Sequence, residues 1–107
     1  MPFANLPALP GRAIFPGVTG RYAHEARLTV GEIELAAGAT VALHQHPHDQ
    51  LSYVIGGAVE FAIGPDKKIL NAGECALIPG GAAHGCRAIT ACRLLDVFTP
   101  VREDYRA

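Results

Sequence analysis

Cysteine is scarce in this sequence, and its spacing gives no sign of a disulfide framework. The three cysteines, Cys75, Cys86 and Cys92, are odd in number, and none of them belongs to a CxxC pair. An odd count without paired spacing is typical of reduced thiols in an intracellular protein. We therefore expect free thiols and a cytoplasmic location.

Long hydrophobic runs and blocks of like charge are also missing. No stretch approaches the roughly 18 consecutive apolar residues of a membrane span, and the proline-rich N-terminus has no apolar core of signal-peptide length. The formal net charge is −1, with acidic and basic residues interspersed. This excludes the electrostatic pattern of a protein that binds nucleic acid or an anionic membrane. The expected partners are small molecules or a second copy of the chain, with no nucleic acid and no membrane.

Helical periodicity is the third absence, because no window forms a convincing amphipathic helix. Residues 27–37 instead alternate with a period of two, with Ile33 and Leu35 on one face and Glu32 and Glu34 on the other. Turn signals recur at roughly 8–12-residue intervals, as in sandwiches and barrels. A chain of 107 residues suits one domain. The pattern predicts a single all-β domain.

Local signals define three parts of this domain. The glycine pair Gly56-Gly57 separates two apolar-rich runs, at 51–55 and 58–63, and predicts a two-residue β-hairpin. Residues 1–18 are rich in proline, and we expect them to be an extended arm lying over the domain. Residues 99–107 are mostly polar and are expected to form a C-terminal tail with at most a short turn.

Four of the five histidines fall in two places, which suggests a metal site. His44 and His46 are two residues apart, so on a β-strand both side chains lie on one face. His84 follows the turn at 79–81, and a barrel of short strands can bring it opposite the first pair. Gln50 offers an amide oxygen as a fourth ligand. Such a set suits zinc, nickel, iron, manganese or copper rather than calcium or magnesium, so we expect one divalent transition metal ion.

Three residues outside this set leave alternatives open. His48 has the parity of His44 and His46, and it either lines the pocket or lies exposed at the rim, since Pro47 can bend the strand. Cys86 has the parity of His84, and it either approaches the metal or is buried packing. His24 is isolated, and we expect it to be structural.

Two glycine-bounded motifs resemble those of the cupin superfamily. Residues 38–57, GATVALHQHPHDQLSYVIGG, fit the first cupin motif, and residues 73–84, GECALIPGGAAH, fit the second. The resemblance implies a jelly-roll barrel, also called a double-stranded β-helix, that spans residues 1–107 as one domain. The sequence departs from the family pattern by having Gln50 where glutamate is usual and Ala88 where asparagine is usual.

The change from glutamate to Gln50 alters the charge of the expected site. Three neutral imidazoles and a neutral amide leave the charge of a bound metal uncompensated, so the site should favour an anionic ligand. We therefore expect a small substrate that carries a carboxylate.

The last strand has a charged residue in an unusual position. Asp96 stands among apolar neighbours, with Phe98 on the same face. It is either an inward carboxylate whose partial burial raises its pKa towards that of a working acid or base, or a rim residue paired with Arg93 or Arg87. Phe98 either walls the pocket or belongs to the core, and Arg102 either clamps a substrate carboxylate or is a surface charge.

A narrower resemblance joins these two sets of residues. The pattern HxHPHxQ followed by DxFxPxREDY resembles the small cupins that ketonise unsaturated uronates in pectin and alginate breakdown. It implies a metal held by His44, His46, Gln50 and His84, and catalytic roles for Asp96, Phe98 and Arg102. The implied reaction opens the ring of a 4,5-unsaturated uronate to its linear keto form, with Asp96 moving the proton and Arg102 holding the substrate anion.

Two other functions fit the same ligands, and the chain is expected to pair with itself. One alternative is an iron- or nickel-dependent dioxygenase, and the other is a non-catalytic cupin that binds a small anion. A homodimer is expected because the N-terminal arm and the last strands, apolar on both faces, would expose hydrophobic surface in a monomer.

Overall fold

The computed structural model describes residues 2–106, which form ten β-strands and two short 3₁₀ turns. The strands are β1 (Arg12–Phe15), β2 (Val18–His24), β3 (Thr29–Leu35), β4 (Thr40–His44), β5 (Asp49–Gly56), β6 (Ala58–Ile63), β7 (Asp66–Asn71), β8 (Cys75–Ile78), β9 (His84–Ala88) and β10 (Cys92–Thr99). The 3₁₀ turns lie at Leu6–Ala8 and Glu103–Tyr105. No helix within residues 2–106 is long and apolar enough to cross a membrane.

The strands make two antiparallel sheets that face each other. The larger sheet has the order β1-β2-β3-β10-β5-β8, and the smaller has the order β4-β9-β6-β7. Consecutive strands are often in different sheets, so the chain crosses repeatedly between the layers. This is the double-sheet jelly-roll architecture, and it confirms the prediction of an all-β fold.

Period-two alternation places the core between the sheets. Along β10, Leu94, Asp96 and Phe98 are buried, whereas Leu95 and Val97 are only partly covered. Leu94 belongs to one cluster with the inward apolar residues of the other strands, which include Val18, Ile33, Leu35, Val54, Val59, Phe61, Leu70 and Ile78. Each fully buried aliphatic side chain contributes about 1.5–3 kcal/mol to folding before the entropy cost, so this cluster supports the frame that holds the site.

The hairpin predicted at Gly56-Gly57 is wrong. β5 pairs with β10 and β8 in the larger sheet, whereas β6 pairs with β9 and β7 in the smaller one. The glycine pair therefore carries the chain from one sheet to the other. Gly57 has a φ of +84°, and a side chain there would also collide with the backbone of Ala91, so the position requires glycine for reasons unrelated to a hairpin.

The N-terminal segment is more ordered than an arm. Residues 12–15 form an edge strand that pairs with β2, and residues 6–8 form a 3₁₀ turn. The tail beyond β10 includes a second short turn at residues 103–105. Residues 1 and 107, the outer limits of the expected arm and tail, lie outside the described residues.

The outer face of the larger sheet carries an apolar band. Val97, Leu51 and Leu77 are register neighbours across three strands, and Leu95 and Tyr53 form the next row. Tyr53 is 41% exposed and Leu77 is 66% exposed. Contiguous exposed apolar surface is typical of interaction faces, and we propose that a second copy of the chain packs here.

If the proposed dimer forms through this face, Leu77→Lys should shift the chain from dimer to monomer. Lysine is tolerated at this exposed position in a folded monomer, but it would carry an unpaired charge into an apolar interface. The matched control is Leu43→Lys, because Leu43 is 68% exposed but belongs to the smaller sheet. Sedimentation equilibrium should give a weaker dimer for the first variant only, and equal effects of the two substitutions would contradict the assignment of this face.

Candidate metal centre

Two of the candidate histidines face each other across the smaller sheet. His44 ends β4 and His84 begins β9, and the two are direct partners in the antiparallel register. Their ring centroids are 4.3 Å apart. The expectation that a later strand would bring His84 opposite the HxH pair therefore matches the topology.

His46 reaches the same place by a different route from the one expected. It lies two residues beyond the end of β4, so strand parity does not position it. A hydrogen bond of 2.8 Å from the Gly81 N–H to the His46 carbonyl ties this loop to the turn before β9. Its ring centroid is 5.6 Å from that of His44 and 4.8 Å from that of His84. One nitrogen from each of the three imidazoles lies within 4.8 Å of the others.

Backbone carbonyls fix the tautomer of all three rings. Nδ1 of His44 lies 2.9 Å from the Ala42 oxygen, Nδ1 of His84 lies 2.9 Å from the Ala82 oxygen, and Nδ1 of His46 lies 3.1 Å from the carbonyl oxygen of residue 48. A carbonyl oxygen only accepts, so each Nδ1 carries the proton and each Nε2 keeps a lone pair. This is how metal-binding imidazoles are usually oriented.

Gln50 adds an oxygen to this group of lone pairs. Its Nε2 donates to Ser52 Oγ at 2.9 Å and to Asp96 Oδ2 at 3.5 Å, so its Oε1 faces Nε2 of His46 at 3.0 Å. Gln50 Oε1 and His46 Nε2 are then both acceptors. Nε2 of His84 is also buried, with no hydrogen-bond partner among residues 2–106. Acceptors that converge without a donor are the expected setting for a cation.

The donor set fits a divalent transition metal. Burial lowers the pKa of His46 and of His84, which keeps both rings neutral and able to ligate. Three imidazole nitrogens and one amide oxygen suit the ions expected from the sequence. His44, His46, His84 and Gln50 are therefore the residues that could hold such an ion.

Asp96 projects into the same interior from the larger sheet. It is the register partner of Ser52 on β5, and its Oδ1 is buried without a hydrogen-bond partner in the described chain. Burial raises the pKa of Asp96 to about 7, although a hydrogen bond with Ser52 and the charge of Arg102 oppose this shift. One oxygen of the carboxylate, Oδ1, is thus an unsatisfied acceptor, and the other, Oδ2, receives the 3.5 Å contact from the candidate ligand Gln50.

The alternative pairings of Asp96 do not form. Arg93 makes a 2.9 Å ion pair with Glu32, and Arg87 lies 3.8 Å from Glu60. Both arginines project outward, because they alternate with the inward residues of their strands. Asp96 is therefore the inward carboxylate rather than a rim residue.

Phe98 and Arg102 complete one side of this interior. Phe98 is buried next to Asp96 on β10, with its ring centroid 5.9 Å from that of His46. Arg102 is also buried, and its guanidinium carbon lies 4.8 Å from the Phe98 ring. The structure therefore does not support a simple surface charge at Arg102, and Phe98 both packs and lines the cavity.

The cavity bounded by these residues has a volume of about 60 Å³. Its polar lining includes His44, Gln50, Ser52, His84, Asp96 and Arg102, and much of the remainder is apolar, with Ile33, Phe61 and Leu94. Because a water molecule needs about 10–15 Å³ of such a volume, the space holds only a few waters and can enclose only one end of a sugar-sized molecule. The polar groups are therefore placed to act on that end.

The structure also places the residues with open alternatives. His48 is half-buried, with its ring 5.4 Å from that of His46, and it does not belong to the metal-ligating triad. Cys86 lines the cavity, and burial raises the pKa of its thiol to about 12, which favours an unreactive packing residue. Nδ1 of His24 lies 2.8 Å from Thr29 Oγ1, and this hydrogen bond is consistent with a structural role.

Sequence reasoning missed the tyrosines of the cavity. Tyr22 on β2 stacks on Tyr105 with 4.4 Å between ring centroids, and both line the cavity. The Tyr22 ring lies over two glycines, since a Cβ at Gly31 would meet the ring at 2.5 Å and one at Gly20 would meet its hydroxyl at 2.5 Å. Isolated glycines within strands signal such close approach, and that signal was available in the sequence.

We predict that Gly31→Ala lowers the free energy of unfolding by about 1–3 kcal/mol, because the new methyl group must displace the Tyr22 ring. Gly56→Ala is the control, since nothing lies within 4 Å of a Cβ there. Urea unfolding should show a loss for the first variant and a change within about 0.5 kcal/mol for the second. Equal stability of the two variants would contradict the packing described for Tyr22.

Comparison with known proteins agrees with this geometry. The cupin domain family model matches residues 31–98. The pectin degradation protein KdgF of Dickeya dadantii is 33% identical over 75 residues, which cover 68% of this chain and 68% of that protein. An uncharacterised protein of Streptomyces coelicolor is 29% identical over 90 residues, which cover 83% of this chain and 86% of the other.

Solved structures of cupins also resemble this fold. KdgF from a Halomonas species superposes with a TM-score of 0.84 at 31% identity, covering 89% of this chain and 91% of that one. An RmlC-like cupin from Shewanella frigidimarina superposes with a TM-score of 0.92 at 28% identity, covering 98% and 96%. The chain therefore belongs to the cupin domain family, as a small cupin related to KdgF.

Proposed function

We propose that this cupin is a metal-dependent enzyme that converts a 4,5-unsaturated uronate to its linear keto form. One observation carries the proposal. Three imidazole lone pairs and the Gln50 oxygen converge, and His44, Gln50 and His84 line the same cavity as Asp96, whose buried Oδ1 has no partner in the described chain. A metal-ligand set beside a free acid or base is the arrangement that proton-transfer chemistry on an oxygen-rich substrate requires.

The related proteins support the class of substrate. The relative from Dickeya dadantii is a pectin degradation protein, and pectin is a polymer of uronates. The pattern around Gln50 and the C-terminal tail resembles that of uronate-ketonising cupins. A small sugar acid is therefore the substrate class that both lines of support share.

Charge in the site also favours a carboxylate. All four candidate ligands are neutral, so the charge of a bound divalent ion would be left for the substrate to balance. Arg102 adds a second positive charge to the lining of the cavity. Asp96 is the one anionic side chain among the polar lining residues named above, and it would meet the substrate as a base.

The proposed reaction is an isomerisation in which no atom is gained or lost. A proton leaves the anomeric hydroxyl, the C1 carbonyl forms as the bond from C1 to the ring oxygen breaks, and C4 receives a proton to leave a ketone at C5. Asp96 takes the first proton and returns it at C4. A divalent ion on the four ligands would act as a Lewis acid towards a substrate oxygen.

The neighbouring residues hold the reacting groups in place. Gln50 Nε2 contacts both Ser52 Oγ and Asp96 Oδ2. These contacts keep the Asp96 carboxyl oriented. Phe98 forms an apolar wall next to the carboxylate, which keeps water from competing for the proton. Arg102 binds the substrate carboxylate and so fixes the sugar relative to Asp96.

The test is an assay on a 4,5-unsaturated galacturonate that follows the ultraviolet absorbance of its double bond. Zinc- or manganese-loaded protein should speed the loss of absorbance, and chelator-treated protein should return it to the uncatalysed rate. Substrate-dependent oxygen consumption by iron-loaded protein would contradict the proposal in favour of a dioxygenase. Tight binding of the sugar without turnover would contradict it in favour of a small-anion-binding cupin.

A further inference from the structure

Arg102 is restrained at both its backbone and its head group. Its backbone N–H donates to the Thr29 hydroxyl oxygen at 2.9 Å. Its guanidinium carbon lies 4.8 Å from the Phe98 ring centroid and 4.1 Å from that of Tyr105. The side chain is 8% exposed. The head group is thus packed against two aromatic rings, and its orientation depends on what bonds its edges.

Asp104 bonds one edge of the guanidinium. Arg102 Nε donates to Asp104 Oδ1 at 3.0 Å and Arg102 Nη2 donates to Oδ2 at 2.7 Å. An arginine has five N–H donors, and this fork uses two of them. Nη1 makes no hydrogen bond to any residue from 2 to 106, so the second edge, formed by Nη1 and the other N–H of Nη2, is free.

Asp104 itself is fixed from outside the cavity. Its side chain is 56% exposed and does not line the cavity, whereas Arg102 does. Its backbone oxygen accepts a hydrogen bond of 3.1 Å from Arg12 Nη2, which ties the C-terminal turn to β1. The hydrogen bonds from Arg102 lower the pKa of Asp104, so the carboxylate is charged at neutral pH.

We propose that Asp104 is a positioning residue. It holds one edge of the Arg102 guanidinium so that the free edge faces the carboxylate of a bound sugar acid. This rests on the proposed function, in which Arg102 binds the substrate. Immobilising the guanidinium in advance removes an entropy cost from binding. The opposite role, in which Asp104 occupies the substrate's place, does not fit a carboxylate that bonds the Nε edge and lies outside the cavity lining.

The test uses two readouts on metal-loaded protein: calorimetric binding of galacturonate, and steady-state kinetics on the unsaturated galacturonate. Asp104→Asn should raise the Kd for galacturonate and the KM about tenfold and leave kcat within about threefold. Asp104→Glu should recover most of this loss, because it restores the carboxylate. Glu103→Gln is the matched control, since Glu103 lies in the same turn but pairs with Arg106 at 2.9 Å, and it should change neither constant.

Several results would overturn the positioning role. These are tighter galacturonate binding by Asp104→Asn, unchanged binding, no binding by the wild type, and a loss of metal content that Asp104→Glu does not restore.

Galacturonate has no double bond to ketonise, so its binding is measured without turnover. If the wild type binds galacturonate in an Asp104-dependent way but does not convert the unsaturated sugar, the reaction is wrong and the positioning role stands. If conversion occurs but Asp104→Asn leaves both constants unchanged, the positioning role alone is wrong.

Discussion

Replacing Asp96 with asparagine should lower kcat for the unsaturated uronate by about 10³-fold, within the 10²–10⁴ range typical of a general acid or base. Asparagine keeps the shape of the side chain and can still accept the weak contact from Gln50 Nε2, but it cannot take up a proton. Metal content should stay at the wild-type level, because Asp96 is not among the candidate ligands. The measurement is kcat from the absorbance assay, with metal content determined on the same sample.

A second buried carboxylate provides the control for this substitution. Glu32 is 7% exposed on the neighbouring strand β3, but it points to the outer face and pairs with Arg93. Glu32→Gln should therefore leave kcat unchanged even if it costs some stability. A loss of activity that is similar in both variants would mean that the Asp96 effect reflects damage to the sheet rather than proton transfer.

Metal binding should stabilise the fold strongly. A ligand present at a thousand times its Kd adds about 4 kcal/mol to the free energy of unfolding, and for a domain of about 100 residues each kcal/mol raises Tm by roughly 4–8 °C. Saturating zinc should therefore raise the Tm of chelator-treated protein by more than about 10 °C. Thermal unfolding followed by circular dichroism measures the shift.

Two histidine variants test whether this stabilisation comes from the proposed ligands. His84→Ala should abolish the zinc-induced shift, because it removes a buried lone pair of the triad. His24→Gln should retain the shift, since His24 bonds Thr29 and lies outside the triad. A full shift in His84→Ala would show that zinc binds elsewhere on the chain.

The sequence was most informative where the fold repeats a simple period. Alternation along β10 correctly predicted that Asp96 and Phe98 share a face, although it left open whether Asp96 points inward, and the turn before His84 correctly pointed to a strand opposite His44. These inferences depend on side-chain parity and spacing, which a β-strand translates directly into geometry. The all-β class followed from the same periodicity, whereas the jelly-roll topology came from the resemblance to cupins.

Features that depend on contacts between the sheets could not be predicted from the sequence. The glycine pair at 56 and 57 signals a sharp turn, but a local signal does not say whether the flanking strands pair or separate. His46 owes its place to a loop held by the turn before β9 rather than to strand parity. Asp104 looks like any solvated charge in a polar tail, because its role depends on the burial of Arg102 against Phe98 and Tyr105.

The most direct test of the metal centre is X-ray absorption at the zinc edge of protein loaded with one equivalent of zinc. We predict that the nearest neighbours of the zinc are nitrogen and oxygen only, at roughly 2.0–2.2 Å, with additional scattering from the outer atoms of three imidazole rings. In His84→Ala the signal should fall to that of two rings. A sulfur neighbour at about 2.3 Å would instead place Cys86 on the metal, and fewer than three imidazoles in the wild type would contradict the proposed ligand set.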